Sequence, residues 1–87
     1  MPYYVYILQC EDNSYYTGYT KNVDKRLNQH RNGKGARYTR IHKPKQLVHL
    51  EEFGSRAEAM KREKTLKKLD HRQKMKLARA DQKRKRR

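Results

Sequence analysis

Tyr3-Tyr4-Val5-Tyr6-Ile7-Leu8 and Ser14-Tyr15-Tyr16-Thr17-Gly18-Tyr19-Thr20, with Glu11-Asp12-Asn13 between them, are the stretches whose reading decides the fold. Both runs are aromatic and β-branched, which suits a pleated strand. The residues between them tolerate tight turns, so the segment reads as a β-hairpin over residues 3–20. Six of the chain's seven tyrosines fall here, in a sequence with no Trp and one Phe. A small core gains bulk more cheaply from Leu or Val, which bury no hydroxyl in need of a partner. Some of these phenols are therefore expected to face a polar site; the blander alternative is amphipathic strand residues with wet tips. Loop length fixes the register. A two-residue turn at Asp12-Asn13 pairs Cys10 with Tyr15 and sets Tyr6 on the face of Tyr19. A three-residue loop pairs Cys10 with Ser14 and brings Tyr6 and Tyr16 to one face. The residues alone leave both open.

Outward from the hairpin, 87 residues allow one small domain, read as 1–80, with a basic tail at 81–87. Only 33% of the chain is hydrophobic and 38% is charged, so its helices must be one-sided. A formal charge of +15 favours a polyanion as partner, nucleic acid before an anionic membrane, because no basic helix has a matching aromatic-rich apolar face. One cysteine, Cys10, excludes an internal disulfide and a Cys-based zinc site. No apolar run approaches the roughly 18 residues of a membrane span. With no secretory pattern at the N-terminus, the expected location is the cytoplasm.

A helix over 22–32 follows the hairpin, capped by Asn22 and ended by Gly33. Val23, Leu27 and His30 form its apolar-side stripe, and Arg26 borders the stripe four residues before His30. Residues 33–45 are basic around Tyr38, with Arg37 and Arg40 set for phosphate contacts. Gln46–Phe53 reads as a third strand, alternating Leu47, His49, Glu51 and Phe53 against Val48, Leu50 and Glu52. Ser55 and Glu58 form a capping box for a helix over 56–69. On its wheel Glu63 falls among Ala59, Met60 and Leu66, in the middle of the inward face. An unpaired buried carboxylate is costly, so Glu63 needs a cation: a neighbouring Lys or Arg, or a metal ion. Asp70 caps a last helix over 70–80. Lys83–Arg87 carry five like charges and no apolar residue, and are expected to be disordered.

The constellation resembles the GIY-YIG nuclease superfamily, specifically its small stand-alone bacterial members. Tyr4-Val5-Tyr6 stands for the first signature and Tyr16-Thr17-Gly18 for the second. Tyr19 to Leu27 is similar to the segment carrying the family's arginine, here Arg26. Glu58-Ala59-Met60-Lys61-Arg62-Glu63 matches the family's Glu-Ala-x-x-x-Glu helix, whose second Glu binds metal. The match covers residues 3 to about 70. The first signature lacks its Gly, and no Pro-x-Tyr-Asn-like segment follows Glu63. The resemblance implies an α+β fold, a three-stranded antiparallel sheet flanked by helices, and with it the three-residue loop. It also implies hydrolysis of DNA phosphodiesters with one divalent cation, Mg²⁺. Tyr6, Tyr16, Arg26 and His30 would then be catalytic and Glu63 the metal ligand. Tyr6 is the expected base, its pKa lowered by Arg26, Lys21 and the metal. Tyr19, Lys21, Arg37, Tyr38 and Arg40 are the expected nucleic-acid contacts. The implied partner is DNA, branched and damaged forms and RNA staying open, with a protein partner supplying specificity. The competing reading is a non-catalytic nucleic-acid-binding module on the same fold. A ribosome-associated RNA accessory protein is a third, resting only on the Lys83–Arg87 tail and the charge density.

Overall fold

The computed structural model describes the backbone of residues 2–85 and the side chains of residues 2–80. The order is β1 (Tyr3–Cys10), β2 (Tyr15–Thr20), α1 (Val23–Arg31), α2 (Arg37–Ile41), β3 (Pro44–Phe53), α3 (Arg56–Lys67) and α4 (His71–Lys85). The three strands form one antiparallel sheet in the order β2-β1-β3. This is the α+β fold expected, with α2 as an addition. The expected disorder of 81–87 falls on Arg86 and Arg87, outside the described residues, and on the last turn of α4, of which only the backbone is described.

The hairpin takes the three-residue loop. Tyr6 lies opposite Gly18 and Leu8 opposite Tyr16. The Cys10 N–H donates to the Ser14 carbonyl at 2.8 Å and the Asn13 N–H to the Cys10 carbonyl at 2.9 Å. Asn13 closes the loop at φ 67°, a left-handed conformation that Asn adopts with little penalty. Asp12 braces the turn by accepting from the Ser14 N–H at 3.1 Å. This loop sets Tyr4, Tyr6, Leu8, Tyr16 and Gly18 on one face and Val5, Ile7 and Thr17 on the other.

Because β1 is central, both of its faces are covered, and Val5, Tyr6, Ile7, Leu8 and Cys10 are all buried. On the Val5–Ile7 face the core gathers Val48, Ala59 and Leu66 of α3, and Ala78 of α4. The Tyr6 face is covered by α1 and α2. β3 departs from strict alternation. Its register shifts between Ile7 and Leu8, so that Ile7 faces His49 while Leu8 faces Leu47. The bulge at Val48 buries Val48 and His49 together and turns Leu47 to the α1 side with Leu50. The simple two-face division of this strand is thereby corrected.

The helix ends follow from their caps. The Asn22 Oδ1 accepts from the Lys25 N–H at 3.1 Å, and the Ser55 Oγ from the Glu58 N–H at 3.2 Å. Asp70 and Gln73 cap reciprocally, the Gln73 N–H donating to Asp70 at 2.8 Å and the Asp70 N–H to Gln73 at 3.0 Å. At the end of α1, the Lys34 N–H donates to the Gln29 carbonyl and the Gly33 N–H to the His30 carbonyl, with Gly33 at φ 71°. This paired closure needs a left-handed residue, and it turns the chain back over α1. The turn brings Gly35 against the His30 ring.

Asn13→Gly is expected to leave stability nearly unchanged. Asn13→Val, a β-branched residue forced to positive φ, should cost about 1–2 kcal/mol in urea unfolding. Equal stability of the two variants would contradict this loop.

Candidate active site

The buried Tyr6 phenol faces an imidazole. Its hydroxyl lies 2.8 Å from the His30 Nε2. The other ring nitrogen, Nδ1, lies 2.6 Å from the Thr39 Oγ1, and Thr39 in turn donates to the Ala36 carbonyl at 2.9 Å. A carbonyl only accepts, so the Thr39 proton points at Ala36. Thr39 must then accept from the His30 Nδ1–H, which leaves Nε2 bare to accept from the Tyr6 O–H. The chain Tyr6→His30→Thr39→Ala36 is directed, and Tyr6, His30 and Thr39 are each no more than 2% exposed.

Two glycines make room for this chain. A Cβ at Gly18 would meet the Tyr6 hydroxyl at 2.5 Å and its ring carbon Cζ at 2.7 Å, so only glycine lets the ring lie across β2. A Cβ at Gly35 would overlap the His30 ring at Nδ1, with Cγ and Cε1 at 2.9 Å. Tyr16 completes the cluster, its ring 6.3 Å from that of Tyr6 and 5.1 Å from that of His30.

Arg26, half-buried on α1, turns its guanidinium toward the Tyr6 and Tyr16 hydroxyls. The Gln29 Oε1 accepts from its Nη1 at 2.9 Å and holds it there. Burial pulls the Arg26 pKa down, but the two phenols more than offset this and raise it, so the charge is permanent. Burial, and then the Arg26 charge, push His30 down to about 4, so its imidazole is neutral at pH 7. Tyr6 is pushed up to about 12. Burial is the main cause; Arg26 opposes it, while Tyr16 and Glu63 add to it. The expectation of a Tyr6 with lowered pKa is therefore corrected: in the free protein this phenol keeps its proton. Lys21, expected to help ionise it, lies instead over the Tyr3 ring, 5.6 Å from its centroid.

Glu63 belongs to α3, whose Ala59 and Leu66 are buried on the opposite face of the sheet. It sits on that same inward stripe with its side chain 16% exposed, and its charge reaches Tyr6. Its one ionic partner among the described residues is Lys67, at 3.7 Å and 51% exposed. Such an exposed i,i+4 pair is worth only about 0.3–0.5 kcal/mol, too little to account for an inward carboxylate. Among the described residues, no cluster of three or more His, Cys, Asp or Glu forms a metal cage. A lone carboxylate fits Mg²⁺, which keeps several waters and shares phosphate oxygens with a substrate. It does not fit a caged zinc ion.

The expected nucleic-acid contacts divide. Lys21 and Tyr19 line an open hollow of about 440 Å³ that Arg26 also borders. The Tyr19 hydroxyl, however, is on the Val5 side of the sheet, 3.4 Å from Arg56. Tyr38 stacks on Tyr16 at 5.8 Å. Arg40 borders a separate hollow of about 380 Å³ with His30 and Thr39, and Arg37 is exposed on α2. Sequence reasoning missed Thr39, Gly35 and Gln29. Only the i,i+3 spacing of Arg26 and Gln29 offered a signal.

The chain matches the family described as GIY-YIG catalytic domain over residues 2–77. It is 48% identical over 75 residues to the UPF0213 protein SSP2268 of Staphylococcus saprophyticus, covering 86% of this chain and 92% of that one. It is 51% identical to the UPF0213 protein SH2523 of Staphylococcus haemolyticus, with the same coverage. Among solved structures it resembles the solution structure of the UPF0213 protein BH0048 from Bacillus halodurans, at TM-score 0.57 and 49% identity. It also resembles that of EF2693 from E. faecalis, at TM-score 0.62 and 39% identity. Each superposition covers 92% of this chain and 85% of the other.

His30 is expected to titrate near pH 4 by NMR, and in Gly35→Ala, where the ring is displaced, nearer 6.5. Because its folded pKa lies below the unfolded value, its contribution to stability is complete above about 6.5 and is lost as the pH falls toward 4. A wild-type titration near 6.5 would contradict the buried neutral ring.

Proposed function

The chain belongs to the GIY-YIG catalytic domain family, and on that premise we propose that it is a divalent-metal-dependent endonuclease hydrolysing DNA phosphodiester bonds in the cytoplasm. The observation that carries the reading is the buried, directed Tyr6–His30–Thr39 chain beside Arg26. A module that only binds DNA needs exposed cations. It gains nothing from a phenol donating to a buried imidazole, and an inward carboxylate would repel phosphate.

The resting protonation states fit a relay. Water attacking phosphorus must lose a proton. The Tyr6 oxygen accepts it as the Tyr6 proton passes to the His30 Nε2, so no free tyrosinate is required. His30 is by itself a poor acceptor because it is buried and faces Arg26. A phosphate on Arg26 neutralises that charge and raises the basicity of His30 where it is needed. Thr39 holds the tautomer that keeps Nε2 open. Arg26 stabilises the charge that develops on the phosphate oxygens, and Tyr16 orients the phosphate or the water. Glu63 would hold the cation, Mg²⁺ by its chemistry, which supplies Lewis-acid stabilisation to the phosphate oxygens when bound.

Glu63→Gln is expected to abolish Mg²⁺-dependent cleavage while metal-free DNA affinity stays equal or rises. Cleavage at the wild-type rate would remove Glu63 from the reaction. Arg26→Ala should lower cleavage roughly a hundredfold or more and binding only a few-fold. Equal losses in both would make Arg26 a phosphate contact alone. Thr39→Val should slow cleavage at least tenfold without weakening binding, and Thr39→Ser should restore it; an unaffected Thr39→Val rate would break the relay.

A further inference from the structure

Beyond the hydrolytic groups, a second aromatic array leads away from them. Tyr16 stacks on Tyr38 with ring centres 5.8 Å apart and planes 28° from parallel. Tyr38 then forms one wall of a cleft of about 200 Å³, completed by Ser14 and Tyr15 of the hairpin and by His71 and Lys74 of α4. Within it the Tyr15 and His71 rings lie 4.9 Å apart. His71 is exposed and Tyr15 and Tyr38 are half-exposed, Tyr15 also packing against the apolar core. Lys74 is half-buried, and no carboxylate pairs with it among the described residues. Burial, and the neighbouring Lys67, hold its ammonium below the usual lysine range. A cation kept partly out of water beside another cation is poised for an anion.

Resting on the nuclease reading, we propose that this cleft is a subsite for one unpaired nucleotide of the substrate strand, its base against Tyr15, Tyr38 and His71 and its phosphate on Lys74. The geometry favours an unpaired nucleotide over duplex. Tyr38 is held between Tyr16 and the His42 ring, 4.2 Å away, so the face on offer is that of the exposed His71 ring, which an unstacked base can use and a paired base cannot. Tyr38 belongs both to the stack on Tyr16 and to the cleft wall, so a strand lying across Tyr16 continues into the cleft. α4 thus supplies substrate selection from within the same domain as the hydrolytic groups. The preferred substrate carries unpaired nucleotides next to the cut, as a flap or a single strand does.

The test is fluorescence anisotropy without divalent metal, using a labelled single-stranded oligonucleotide and a blunt duplex. His71→Ala and Lys74→Gln are compared with Lys64→Gln, which removes the same charge from the exposed side of α3. Circular dichroism verifies that all three are folded. His71→Ala and Lys74→Gln are each expected to lose roughly five- to tenfold in single-strand affinity. Their duplex affinity should fall no further than that of Lys64→Gln. Single-strand losses no larger than the control's would overturn the subsite. Equal losses on duplex and single strand would also overturn it, as generic charge. Because no cleavage is read, failure here leaves the nuclease reading standing, and absence of cleavage leaves the subsite standing.

Discussion

The hydrogen bond from the Tyr6 hydroxyl to the His30 Nε2 is the constraint that the rest of the structure serves. A phenol on the central strand of a small sheet would ordinarily be a liability, because its hydroxyl must find a partner away from water. Here the partner is an imidazole from the helix above. That imidazole is oriented by a threonine whose own proton is committed to a carbonyl. Glycine at 18 admits the phenol, and glycine at 35 admits the imidazole. The left-handed close of α1 at Gly33 returns the chain so that Gly35 and α2 can cover the ring. Together these features hold the two rings at hydrogen-bonding distance.

Charge around this contact is only partly matched among the described residues. Arg26 is the cation facing the phenols, and it adds to the burial that keeps His30 neutral. Glu63 approaches from the other layer and raises Tyr6 further. In the free protein, then, the phenol is a poor acid and the imidazole a poor base. A phosphate on Arg26 would neutralise that charge and make His30 a better base, and a cation on Glu63 would remove the carboxylate's small upward push on Tyr6, while burial, the main cause of both shifts, stays. A part-buried polar cluster, Glu51 with Arg62 and His49, has its charges matched within the chain. Arg62 donates to Glu51 at 2.8 and 3.1 Å, and together with His49 it holds the carboxyl below its usual pKa despite burial. The contrast separates a matched ion pair from charges that the described residues leave largely unmatched.

Much of this was legible in the sequence because it depends on local rules. The tyrosine runs, the turn residues and the caps at Asn22, Ser55 and Asp70 give the hairpin and three of the helices. The inward position of Glu63 follows from a helical wheel. The tyrosine register did not follow from the residues, because Asp12-Asn13 and Glu11-Asp12-Asn13 both make acceptable turns; the family resemblance chose between them. α2 was missed because Ala36 offers no capping side chain and the segment is only five residues long. Thr39 was missed with it. The bulge at Val48 broke an alternation that looked regular. The Tyr6 pKa was wrong in direction because burial at the centre of the sheet outweighs a neighbouring arginine, and burial depth is a tertiary quantity.

The most direct measurement is incubation of the protein with a panel of single-stranded, duplex, flapped and branched DNA, with Mg²⁺ and with a chelator. The account predicts Mg²⁺-dependent strand cleavage of at least one member and none in the chelator. Intact substrates throughout, at protein concentrations that saturate binding, would contradict it and leave a nucleic-acid-binding module on a nuclease fold.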